Sequence, residues 1–190
     1  MFAPLLFQSW SLMLGWALAP APIPSSIDPL PAATHVIVLG KESGRTDFPA
    51  ESIYEEGHLL DGERNGLWKR FYSNGNLRSE IHYASGVPFG DYRLFDDQGQ
   101  VYEEGRWEQG MNVGELLRYW PNGTLQQQLH FDAEGIAQGE QRQYHENGQL
   151  EMVVQLEDGE EHGDLIQLDQ EGRVIQRTTF RNGQVARRHS

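Results

Sequence analysis

A chain of 190 residues without a single cysteine excludes disulfides, thiolate nucleophiles and cysteine-ligated metals. A formal net charge of −13 repels nucleic-acid phosphate and anionic lipid headgroups over a Debye length of roughly 8–10 Å. Nucleic acid is therefore excluded as a partner, direct binding to an anionic membrane is disfavoured, and a basic protein partner would be attracted.

The first 21 residues form a signal-peptide-like apolar segment that is short and interrupted for a membrane span and ends in "ALAPA", small residues at signal-peptidase spacing. No Lys or Arg precedes the apolar run, and Pro20 and Pro22 flank the small residues, which counts against cleavage there. Export to a periplasm or medium is the favoured reading, with the cytoplasm as the location if this segment is not a signal. Residues 22–50 read as a proline-rich linker and loop, holding one β-branched run, "THVIVLG" from Thr34 to Gly40, that suits an edge strand.

From 51 to 185 the chain repeats itself, leaving a short tail at 186–190. "FYSNGNL" at Phe71 returns as "YWPNGTL" at Tyr119 and as "YHENGQL" at Tyr144. Asn-Gly between apolar residues marks a hairpin tip, because both residues tolerate positive φ. The tip glycines Gly75, Gly99, Gly123, Gly148 and Gly172 step by 24, 24, 25 and 24, and the series from Gly62 and from Gly66 keep the same steps. Each unit offers an outgoing strand, a tip, a return strand, and a Gly-x-x-x-Gly turn such as "GERNG" that starts the next hairpin. The expected fold is all-β: an extended single-layer antiparallel β-meander of about five and a half hairpin repeats. On the return strands Leu77, Val101 and Leu125 share a face with Tyr83, Trp107 and Phe131, six residues on. A three-residue tip would place Phe71 opposite Leu77 on that same face. The row of Trp68, Tyr92, Leu116 and Leu165 has the other parity, and lies on the opposite face or reaches the first one through a bulge.

"YEEGRWEQGMNVG" from Tyr102 to Gly114, and "YEEGHLLDGERNG" from Tyr54 to Gly66, resemble the MORN signature. With Asn-Gly tips and this period, the chain is similar to the MORN-variant family, widespread in bacteria. The resemblance implies an extended twisted sheet. It also implies a binding role, since many members are assigned as the antitoxin or immunity half of a toxin–antitoxin pair.

His82 and His130 occupy equivalent positions two units apart, roughly 19 Å at about 4.8 Å per strand, too far to share an ion. "EDGEEHGD" from Glu157 to Asp164 lacks the alternating ligands of a calcium loop. No nucleophile elbow, phosphate loop or zinc-protease motif is present. The sequence thus reads as non-catalytic, with no cofactor and no metal. A protein-binding repeat module is the first reading, with Trp68, Tyr72, Tyr92 and Trp120 as candidate anchors and a basic toxin as the partner implied by the resemblance. An exported or envelope-associated scaffold of the MORN type is the alternative.

Overall fold

The computed structural model describes residues 33–189, and the signal-like segment and residues 22–32 of the proline-rich stretch lie outside them. Among the described residues thirteen strands form one antiparallel sheet in strict chain order. They are β1 (Thr34–Leu39), β2 (Ile53–Leu60), β3 (Glu63–Phe71), β4 (Leu77–Ala84), β5 (Val87–Phe95), β6 (Val101–Glu108) and β7 (Met111–Tyr119). There follow β8 (Leu125–Phe131), β9 (Gly139–Tyr144), β10 (Leu150–Glu157), β11 (Glu160–Leu168), β12 (Val174–Arg181) and β13 (Gln184–His189). A single 3-10 turn, Gly40–Glu42, follows β1. The sheet therefore starts before residue 51, at β1, and β13 runs through most of the stretch read as a tail.

Two kinds of turn alternate, one along each long edge of the sheet. At the tips the glycine has positive φ, 87° at Gly75 and 81° at Gly123, and closes a loop in which Tyr72 N–H donates to Asn76 O at 2.8 Å. The registers place Phe71 across from Leu77, Phe95 from Val101 and Tyr119 from Leu125, each beside a register shift. The other edge carries two-residue turns with both φ values positive, such as Ser85–Gly86 at 47° and 75°. That is the hairpin turn whose twist matches its strands.

The step of 25 has a local cause. Between β8 and β9 the turn is built like a tip: Asp132 N–H donates to Ile136 O at 2.9 Å, and Asp132 Oδ1 accepts from Glu134 and Ile136 N–H. The extra residue is taken up in this wider loop, so strand order and pairing continue beyond it.

Among the described residues no second sheet covers this layer, yet Trp68, Tyr92, Leu116, Leu129 and Val154 are buried. The register explains how. Trp68 pairs with Ile81, Ile81 with Tyr92, and Tyr92 with Gly105, so large and small residues alternate along one row. The Trp68 indole lies over Gly57, where a Cβ would overlap the ring, 2.6 Å from Cγ. Tyr92 lies over Gly105 in the same way, 3.1 Å from Cε1 to the position a Cβ would take. Rings laid flat on glycines bury apolar area without a second layer.

Candidate functional site

The two sheet faces differ in chemistry. On the ring face, Trp68 is 5 % exposed and Tyr92 2 %. Trp68 Nε1–H donates to His58 O at 3.0 Å, and the Arg64 guanidinium covers the indole at 4.4 Å. Arg64 and Arg70 both donate to the buried Glu55 carboxylate, at 2.7 and 3.0 Å. Two units on, Glu103 takes the same place: Tyr92 O–H donates to it at 2.9 Å and Arg118 Nε–H at 2.7 Å. Tyr92 also stacks on Trp107 with centroids 4.0 Å apart. Burial first, then the adjacent Glu103 charge, push the Tyr92 phenol far above its ordinary pKa.

These contacts correct two expectations. Trp68 and Tyr92, read as candidate partner anchors, are enclosed core side chains with no ring surface left to offer. The stack of Tyr92 on Trp107 also decides the parity question, because the Trp68–Tyr92 row lies on the same face as Trp107. The tip row lies on the other face. Tyr119 O–H donates to Glu104 at 2.6 Å, while its neighbour Arg118 reaches Glu103 on the ring face. The bulge beside each tip pair lies on the return strand, where Gln126 is skipped in the pairing, so Leu125 leaves the face of Phe131 and joins Tyr119 on the other one.

Tyr72 and Trp120, the other two candidates, are half-buried at the tips. Tyr72 O–H donates to Phe95 O at 2.7 Å, and Trp120 Nε1–H donates to Tyr144 O at 2.9 Å. Each ring fastens its own tip to the next. Asn74, Asn122 and Asn147 do the same through their amides, donating to Asp97, Glu146 and Gln170 carbonyls at 2.7, 2.9 and 3.0 Å. The four candidates are therefore not one cluster: two are core and two are tip fasteners, a pair of units apart.

The opposite face carries charge. Lys69, Glu80, Arg93 and Glu104 face one another across β3 to β6, with Glu80 held by Lys69 at 3.8 Å and by Arg93 at 2.7 Å. A groove of about 590 Å³ opens here, lined by Glu80, Asp91, Glu104 and Glu115 against Arg93 and Arg106, together with Leu67 and Leu117. His82 and His130 turn Nδ1 to the carbonyls of Asp91 and Glu140, at 3.0 and 2.9 Å, which is a structural use of both rings. Burial and the hydrogen bond to Glu104 push the Tyr119 phenol up to about 12.

Beside this groove, along the two-residue-turn edge, runs an apolar line that the sequence reading missed. Val87, Met111 and Ile136 follow successive turn glycines and are 45 %, 42 % and 43 % exposed, with Phe89 at 47 % close by. Each meets the next turn, since Val87 Cγ1, Met111 Sδ and Ile136 Cγ2 lie 3.9, 3.5 and 3.3 Å from where a Cβ would sit on Gly110, Gly135 and Gly159. Glu63 and Glu160 hold the equivalent positions in the flanking units. Aligning the units on their glycines would have revealed it: three consecutive apolar residues at a position that is otherwise polar, Glu63, Glu160 and Gln184.

Comparison with known proteins adds a family. The MORN repeat variant family matches residues 64–85, 112–133 and 137–158, each an outgoing strand, its tip and the return strand. No curated protein matches the chain. Among solved structures, 51 % of the chain is similar to an S. aureus TarM mutant in complex with fondaparinux, alpha-GlcNAc-glycerol and UDP, at 14 % identity, TM-score 0.34 and 19 % of that chain. A GtfA/B complex bound to UDP and GlcNAc is similar over 58 % of the chain, at 15 % identity, TM-score 0.27 and 21 % of its own length. The similar region thus spans about a fifth of either protein.

Proposed function

Starting from a chain that carries MORN-variant repeats, we propose a non-catalytic protein-binding module whose docking surface is the charged face and its apolar border. One observation supports this above the others. A carboxylate-rich groove lies beside the exposed line of Val87, Phe89, Met111 and Ile136. Apolar side chains beside a groove whose four carboxylates outnumber its two arginines suit a basic protein partner, with the apolar side chains supplying affinity and the excess of negative charge speeding capture. The antitoxin reading names that partner as a toxin. The repeat family and the acidity support it, and the groove is the surface proposed for such a partner.

The test is affinity capture from the native host with the wild-type chain and with Phe89→Ser/Met111→Ser. A basic protein retained by the first and lost by the second, at unchanged unfolding midpoint, supports the reading. Equal retention by both moves the site elsewhere. The scaffold reading rests on the apolar N-terminal segment. Fractionation of the host separates the two: full-length protein in the cytoplasm favours the antitoxin, and recovery with the envelope favours the scaffold.

A further inference from the structure

We infer that copies of this chain join head to tail, β13 of one pairing with β1 of the next. The two edges of the sheet are unlike. β1, Thr34–Leu39, is six residues without a charge, a proline or a glycine, and its Ile37 is 45 % exposed. Sheet edges of that composition pair with other strands unless charge or proline blunts them. β13 carries Arg187 and Arg188, both exposed, and neither they nor Arg181 have an acidic partner among the described residues.

Charge decides which edges meet. All 28 acidic residues lie at or before Glu171, and residues 173–188 hold five arginines. Residues 33–66, around β1, hold seven acidic and three basic residues. Glu56 on β2 and Asp61 and Glu63 just after it make no ion pair among the described residues. Two β13 strands set against each other would oppose arginine to arginine. β13 against β1 instead brings unpaired arginines to an uncharged strand backed by unpaired carboxylates. The apolar side chains left open at the two ends, Ile37 and Ile53 on one and Val174, Ile175 and Val185 on the other, would be covered together.

Geometry allows it as well. β1 and β13 run in the same direction, being odd-numbered strands of one antiparallel meander. A copy displaced along the sheet joins as a parallel pair and continues both faces. The two ends differ, so the contact is heterologous and grows open chains rather than closed dimers.

Sedimentation of the full chain across a concentration series, at low and high salt, reads this directly. The weight-average mass should rise past that of a dimer with concentration and fall with salt. Ile37→Lys sets a cation against the arginines and should leave a monomer. Arg187→Glu/Arg188→Glu sets anions against an acidic end and should do the same. All three substitutions in one chain restore opposite charges across the junction, and assembly should return, a rescue that a folding defect would not permit. A wild-type chain that stays monomeric overturns the proposal. So does assembly that survives Arg187→Glu/Arg188→Glu unchanged, which would mark a β1–β1 dimer, or a triple variant that remains monomeric.

Discussion

Gly57 and Gly105 have ordinary negative φ, so what fixes them is space alone. An added methyl group at Gly57 would enter the Trp68 indole, which cannot swing aside while Nε1 holds His58 O and Arg64 covers it. At Gly105 the same methyl would meet the Tyr92 ring edge at 3.1 Å, close enough to be relieved by a small ring shift. Gly57→Ala should therefore destabilise by about 1–3 kcal/mol, as overpacking does, and Gly105→Ala by clearly less. Equal midpoints for the two in thermal unfolding would refute this account of ring burial. Tyr92 gives a second prediction at this scale. Burial and Glu103 raise its pKa in the folded state, which favours the neutral phenol. The stabilisation is complete below the unfolded tyrosine value of about 10 and is lost as pH rises above it. Stability should decline with pH in the alkaline range, and Tyr92→Phe should flatten that decline. An unaltered alkaline slope in the variant would assign the loss to other groups.

At the scale of the hairpin, the turn between β8 and β9 supports a sharper test than the regular ones. Deleting Ala133 leaves Asp-Glu-Gly-Ile, the length of the Glu108–Met111 turn, so a two-residue hairpin should form and the period return to 24. The shortened chain should fold with little change in midpoint. Deleting Gln128 inside β8 removes the same number of residues but sends every later side chain of that strand to the wrong face, and should unfold the sheet. Similar behaviour of the two deletions would mean that the loop does not absorb the extra residue. Elements of this kind were open to sequence reasoning because glycine at positive φ is a local demand with a local signature. Gly75, Gly99, Gly123, Gly148 and Gly172 gave both the tips and the period, and the 24-residue step gave the meander. Face assignment was less accessible. The shift beside Tyr119 is one extra residue, Gln126, on the return strand, and it carries Leu125 to the charged face that Tyr119 already occupies. Trp68 and Tyr92 looked like anchors because an aromatic reads alike whether it meets a partner or a glycine. Gly57 and Gly105 were visible, but that they lie beneath those rings depends on cross-strand register that spacing along the chain does not contain. Glu55 and Glu103 were equally hidden, since a carboxylate shows its arginines only after the strands are paired.

For the sheet as a whole, substantial contacts join only consecutive strands, so stability is held between neighbours and not across a common core. A lone hairpin is marginal, and each gains by lying between two others. The tip fasteners act on the same scale, because Tyr72, Trp120 and His145 each bond a carbonyl of the following unit and none bonds one farther away. Such a molecule should tolerate the loss of a whole unit. Removing residues 90–113, one period of 24, brings Gly114 to the place of Gly90 and keeps strand direction, face and tip succession. It also joins Tyr72 to Trp120 as consecutive fasteners, with the carbonyl of Tyr119 standing where that of Phe95 stood. The shortened chain should show β-type circular dichroism and one cooperative transition at a somewhat lower temperature. Removing only residues 90–101, half a period, would bring two strands of like direction together through a connection too short for parallel pairing, which needs a crossover of about a dozen residues. That chain should aggregate or remain unfolded. If it folds as well as the full-unit deletion, then the 24-residue hairpin is not the unit that holds the sheet together.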